Sequence, residues 1–309
     1  MSIDLPIDKR RFLPVLPRNE PATKDSTAVK TFKACPRKYF YRMVLGRTKP
    51  EGQWASVFAF GSAVHKFLEH LYEDADVANA MQQGLKVFRA PTHKNFEFQS
   101  KERFIQTCTA LFNKYREEKD KKIVEVLSIE QPFSLKFPDG NDVGGRFDQI
   151  IKWNGRVWLR DWKTTSKQLQ YWRKSLEPND QATRYIYGMS CLQFGQDSHG
   201  YPNKVIDGVL FTAIYNAKTV GPIIENVPSS RTLNQIKLWV NDQMMIHRTM
   251  DMCREADVWP QNEDNCSFCD YQEVCNQSTE AGMQNMLKTA YVHAPWKMEE
   301  VDQKTLTEK

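Results

Sequence analysis

Apolar residues along this chain change period more than once, and the changes mark its elements. Val64, Phe67, Leu68 and Leu71 recur three or four positions apart, which predicts a helix beginning near Gly61–Ser62. A polar, largely helical stretch continues to about residue 120. Residues 125–137 (EVLSIEQPFSLKF) then read as a strand, closed by the turn Pro138-Asp139-Gly140-Asn141. Residues 143–153 (VGGRFDQIIKW) read as the next strand and 156–163 (RVWLRDWK) as its partner, joined by Asn154-Gly155, a two-residue hairpin signal. Helical spacing returns after Asn179, a candidate N-cap, with Ala182, Tyr185, Ile186 and Met189 as an apolar stripe to about residue 193. A strand is expected over 205–215 and a long amphipathic helix over 231–254. Upstream, a helix from Ser26 must stop near Cys35, because Pro36 forces a new start. The order helix, three-strand meander, helix, strand, helix predicts a mixed α/β domain.

Composition narrows the class only slightly. With 40% hydrophobic and 26% charged residues and no long apolar run, the 309-residue chain reads as soluble. Its N-terminus lacks a signal-peptide core, so a cytoplasmic protein is expected, with no membrane partner. A net charge of +5 permits a nucleic-acid partner without identifying one. Lys30, Lys33, Arg37, Lys38 and Arg42 lie among Phe32, Tyr39, Phe40 and Tyr41, a mixture suited to phosphates and bases but equally to a half-buried helix with a basic outer face. Seven cysteines are an odd number for disulfides, and Cys266, Cys269 and Cys275 lie within ten residues, which suggests a metal site.

The hairpin carries the chemistry. If Asn154-Gly155 is the turn, Trp153 pairs with Arg156, and stepping outward brings Asp148 opposite Asp161 with side chains on one face. Lys163, two residues on, shares that face. Opposed carboxylates repel, whereas a divalent cation that favours oxygen ligands, Mg²⁺ or Mn²⁺, gives them a purpose. Lys163 could then orient water, help deprotonate it or stabilise charge on a phosphate. The competing reading is a solvated sheet face with a diagonal salt bridge; apolar Ile150, Val157 and Leu159 beside the aspartates favour a partly buried one.

These residues resemble the D…(D/E)-x-K core of RecB-like nucleases in the PD-(D/E)XK superfamily: GGRF-Asp148, then R-Asp161-W-Lys163-TT. FGSAV-His65 is similar to that family's upstream histidine motif, Glu130 occupies the place of the acid in its first strand, and Gln181-ATR-Tyr185 matches its Q-x-x-x-Y element. KA-Cys35-PRKYFYR and Cys266-SF-Cys269-DYQEV-Cys275 resemble the ligand segments of its iron–sulfur subgroup, which includes CRISPR-associated spacer-processing nucleases and AddB-type repair nuclease domains. The resemblance implies a restriction-endonuclease-like core, with a mixed sheet flanked by helices. It places one nuclease domain over residues 26–277, between an irregular arm (1–25) and a polar tail (278–309). It further implies that His65, Asp148, Asp161 and the backbone carbonyl of Trp162 bind Mg²⁺ or Mn²⁺, that Lys163 is catalytic, and that Gln181 and Tyr185 position DNA or support the site. Glu130 is expected as support or as a strand-edge charge, and Glu69, one turn from His65, as its orienting partner.

By the same resemblance, Cys35 joins Cys266, Cys269 and Cys275 around a 4Fe–4S cluster that staples the domain's two ends. Spacing alone leaves zinc open. Cys108, Cys191 and Cys253 read as buried small residues. The expected activity is two-metal hydrolysis of DNA, exonucleolytic on single strands or ends, in phage, CRISPR or recombination processing with a helicase or recombination partner. The alternatives are a non-catalytic DNA-binding adaptor that retains the fold, and a zinc-stapled interaction domain. The intact Asp148, Asp161 and Lys163 set argues against both.

Overall fold

The computed structural model describes residues 13–19, 24–50, 55–88, 100–177, 179–216 and 221–296. In chain order the elements are α1 (Ser26–Ala34), α2 (Pro36–Tyr39), a π-helical turn (Phe40–Val44), β1 (Arg47–Thr48), α3 (Ala55–Asp74), α4 (Val77–Val87), α5 (Lys101–Asp120), β2 (Val124–Lys136), β3 (Asp142–Trp153) and β4 (Arg156–Thr165). There follow α6 (Leu169–Lys174), α7 (Asp180–Phe194), β5 (Val209–Tyr215), β6 (Ile223–Ser229), α8 (Leu233–Ala256), a 3-10 turn (Glu263–Phe268), α9 (Gln272–Cys275), α10 (Glu280–Thr289) and β7 (Val292–His293). Among the described residues no helix is long and apolar enough to cross a membrane.

Five strands form the main sheet in the order β2-β3-β4-β5-β6. Asn154 and Gly155 both take positive φ, 51° and 77°, the conformation a two-residue hairpin demands, and Trp153 pairs with Arg156 as the turn dictates. β4 runs parallel to β5, with α6 and α7 in the crossover, and β5 pairs antiparallel with β6. The sheet is therefore mixed, with a meander and flanking helices as expected. β6 escaped the sequence reading because IIENVPS carries a proline and little alternation; Pro228 is tolerated at this edge of the sheet.

The chain divides into two compact units: Met1–Pro50, Ser134–Gly144 and Leu238–Lys309 form one, Glu51–Phe133 and Gly145–Lys237 the other. In the second unit, Phe60, Val64, Phe67 and Leu71 of α3 share a core with Phe104 and Leu111 of α5, Trp162 of β4 and Ile214 of β5. Beside Trp162, Arg160 is buried and fully partnered. Its guanidinium donates to both Glu118 oxygens at 2.8 Å, to Thr212 and to Tyr72, and stacks 4.0 Å from the Trp162 ring centroid. Because Trp162 faces α3 while its neighbour Asp161 meets Gln181 of α7, helices flank β4 on both faces.

In the first unit, Phe32, Tyr39, Phe40 and Tyr41 are buried with Trp259, Tyr271, Leu287 and Tyr291. The basic–aromatic stretch is thus core on its aromatic side and offers no stacking surface. Arg37 donates to the Trp259 carbonyl and to Gln261, and Arg42 to the Ala294 carbonyl. β1 pairs with β7, Arg47 opposite His293. The segment expected as a polar tail contributes α10 and β7 to this unit, while residues 1–12 of the expected arm and 297–309 of the tail lie outside the described residues.

Candidate active site

Asp161 sits on the central strand β4 and is fully buried. Lys163, on the same face, donates to its Oδ1 at 2.9 Å and lies 2.7 Å from Oδ2, without the alignment of a hydrogen bond to that second oxygen. Gln181 of α7 reaches Asp161 Oδ1 at 3.3 Å and the Tyr185 hydroxyl at 2.9 Å; one turn apart on the helix, the two act as a pair. Tyr185 is wedged edge-on against Phe133 and Phe147.

The regular ladder between β3 and β4 runs from Trp153↔Arg156 to Gln149↔Arg160, one step short of the aspartates. At the aspartates a side chain takes over from the backbone: the Trp162 N–H donates to Asp148 Oδ2 at 2.9 Å. The expected register is therefore observed up to the site, and Asp148 is fixed by the strand that bears Asp161. Trp162 enters the site through this amide, while its ring stays in the core.

α3 delivers His65, whose Nδ1 lies 3.4 Å from Asp148 Oδ2. Gly61, one turn earlier, permits the close packing: a Cβ there would stand 3.2 Å from Thr164 Oγ1, next to Lys163. Glu69 binds Lys66 at 2.8 Å and so does not orient His65. The residue that spacing underrated is Glu130. Ligand atoms of His65, Glu130 and Asp148 all lie within 4.8 Å of one another. Glu130 has φ 46°, a left-handed conformation in the middle of β2, just before Pro132. Such an interruption re-aims a side chain at a cost of about 1–2 kcal/mol; the Pro132 at this point was the available sequence signal. Arg146 flanks Glu130 at 3.4 Å.

Burial pushes the Asp161 carboxyl up to about 6, with the Asp148 charge adding to the shift and Lys163 opposing it. Burial acts to lower the Lys163 pKa, but Asp161 and Asp148 outweigh it and hold the lysine as an ammonium. Glu130 is raised by burial and then by Asp148, against His65 and Arg146. Tyr185 is held well above the usual phenol range by burial and by the Asp161 and Asp148 charges, and remains a neutral hydroxyl that accepts from Gln181. Carboxylates crowded in this way, one with an oxygen lacking a directed donor, fit a hard divalent cation.

Cys35, Cys266, Cys269 and Cys275 line a single cavity with Lys38, Asn262 and Tyr271. The Asn262 amide donates to Cys35 Sγ at 3.4 Å; Gln261, itself held by Arg37, places Nε2 3.6 Å from Cys266 Sγ. Burial raises the Cys269 and Cys275 thiols, so an electrophilic centre is needed to hold them as thiolates. Among the described residues no three of these sulfurs lie within 4.8 Å of one another. Cys108, Cys191 and Cys253 are buried and free.

Residues 26–276 match the profile of the PD-(D/E)XK nuclease superfamily. Among solved structures, a protein of Eubacterium rectale described as a candidate exonuclease is similar over 87% of this chain and 93% of its own, with 13% identity and a TM-score of 0.50. SSO0001 covers 84% of this chain and 87% of its own at 14% identity, with a TM-score of 0.33. No curated protein matches the sequence.

Proposed function

Because this chain belongs to the PD-(D/E)XK nuclease superfamily, we propose that it is a Mg²⁺- or Mn²⁺-dependent deoxyribonuclease acting as an exonuclease on single-stranded DNA or DNA ends. The observation that carries this reading is the convergence of His65, Glu130 and Asp148 within 4.8 Å, joined through the Trp162 amide to the Asp161–Lys163 pair.

His65, Asp148 and Asp161 would hold the cations, with Glu130 as a further oxygen ligand and the Trp162 carbonyl completing the set. Bound there, two divalent ions supply an activated water and charge stabilisation for an in-line displacement at phosphorus. The chain's own contributions follow from its geometry. Lys163, kept as an ammonium, suits charge stabilisation on the phosphate better than proton abstraction. Gln181, fixed between Asp161 and the Tyr185 hydroxyl, holds the Asp161 carboxylate in one orientation and leaves its second oxygen for the metal.

Cys35, Cys266, Cys269 and Cys275 would carry a 4Fe–4S cluster, with Lys38 offsetting its negative charge. The cluster holds Cys35, near the start of the nuclease region, to the 266–275 segment, a structural role. By resemblance, the protein acts in the cytoplasm in phage, CRISPR or recombination DNA processing, beside a helicase or recombination partner that opens duplexes.

Topology of the substrate tests the exonuclease reading. With Mn²⁺, linear single strands should be degraded while a closed circle of the same sequence persists. Equal loss of both would make the protein an endonuclease.

A further inference from the structure

The sheet face that carries Asp161 and Lys163 continues sideways from β4 onto β5 and β6. Paired residues present their side chains on one face. Phe211 of β5, opposite Asp161, therefore shares that face, and Glu225 of β6 joins it through Ala213, opposite Lys163. α6, the next element after β4, is fastened to both. Its Trp172 is buried and packs edge-on against Phe211, with ring centroids 6.4 Å apart. Its Arg173 grips Glu225 with two hydrogen bonds, of 2.7 and 2.6 Å. With neighbouring strands about 4.8 Å apart, the Glu225 backbone stands about 10 Å from that of Lys163.

The helix fixed in this way holds Tyr171 out to water, 62% exposed, and no ring or side-chain hydrogen bond meets it among the described residues. A helix turns by about 100° per residue, so Tyr171 and Arg173 leave it on opposite flanks. Arg173 is turned to β6, which leaves Tyr171 on the flank away from β6; β4 lies on the other side of β5 from β6. Lys174, three residues on, neighbours the ring, and Lys167 precedes it in the loop out of β4. Both lysines are exposed, neither forms an ion pair among the described residues, and residues 166–176 contain no acid. A single exposed tyrosine is ordinary. One held rigidly beside unpaired cations, on the face that carries the candidate cleavage site, suits a strand whose bases are free to stack and whose phosphates need partners. A duplex hides its base faces, and an aliphatic partner has no use for the cations. Resting on the nuclease reading above, we propose that α6 is a docking platform for single-stranded DNA, with a base stacked on Tyr171 and neighbouring phosphates held by Lys167 and Lys174.

Fluorescence anisotropy of a labelled oligothymidylate, titrated with the full chain in EDTA so that no strand is cut, tests this. Tyr171→Ala should weaken binding by about tenfold with an unchanged melting temperature, because the ring is exposed, and Tyr171→Phe should bind like wild type. On an abasic strand of equal length, wild type and Tyr171→Ala should bind alike. Replacing Lys167 and Lys174 together by alanine should flatten the slope of log affinity against log salt by about 1.4. Wild-type affinity in Tyr171→Ala overturns the platform, as does an equal loss on the abasic strand or a salt slope that the lysine pair leaves unchanged. Binding in EDTA is read apart from cleavage. A protein that shows these binding losses and yet cuts no DNA with Mn²⁺ would contradict the nuclease reading and support the platform.

Discussion

Asp161 concentrates the electrostatic demands of the site. Its pKa near 6 lies above the usual carboxylate value because burial, helped by Asp148, outweighs Lys163. In the metal-free protein its contribution to stability is thus fully present below about pH 4 and lost as pH rises through about 6. Metal binding acts in the opposite direction, since Asp161 must shed its proton to take a cation. The increase in melting temperature produced by Mn²⁺ should therefore be largest near pH 8 and shrink as pH falls through 6, and Asp161→Asn should flatten the profile. An equal increase at pH 5 and pH 8 would remove Asp161 from the metal site. The strands that bear Asp148, Asp161 and Lys163 were legible because a hairpin with a two-residue turn has only one register, which the pairing follows as far as Gln149↔Arg160. Glu130 was not, because its placement depends on a left-handed backbone residue that strand alternation cannot foresee.

At the scale of elements, β4 carries the candidate site on one face and anchorage on the other. Asp161 and Lys163 serve the site, while Arg160 and Trp162 bind β4 to the helical layer through Glu118 and Tyr72. Removing one member of a buried ion pair leaves the other charge uncompensated. Arg160→Ala should cost about 3–5 kcal/mol in urea unfolding, whereas a charge-free replacement of both Arg160 and Glu118 should recover part of it. A loss below about 1 kcal/mol would make the pair incidental. From the sequence, Arg160 was only the residue before Asp161; its partner lies 42 residues upstream, beyond the reach of any local pattern. The helices α1, α7 and α8 were legible from their spacing and caps: Asp25, just ahead of the expected Ser26, caps α1, and Asn179 caps α7 as expected.

Across the whole molecule, the two units divide the labour: one contains the acidic site, the other the four cysteines. If those cysteines hold an iron–sulfur staple, Cys35→Ser should abolish broad visible absorption and lower the melting temperature by about 5–10 °C. Molecules that remain folded should still cleave DNA. Stoichiometric zinc in a colourless protein would contradict the cluster. The trio Cys266, Cys269 and Cys275 was legible from spacing and Cys35 only through the family resemblance, whereas the pairing of β1 with β7 was not legible, because two-residue strands leave no periodic trace. We propose that Lys163 and its acidic neighbours form a metal-dependent DNA-cleaving centre. It is tested most directly by assaying wild type and Lys163→Ala on end-labelled single- and double-stranded DNA with Mg²⁺, Mn²⁺ or EDTA. Wild type should cleave with metal and not with EDTA, and Lys163→Ala should be slower by about 10²–10³-fold. Equal cleavage by both proteins, or wild-type cleavage undiminished by EDTA, would contradict it.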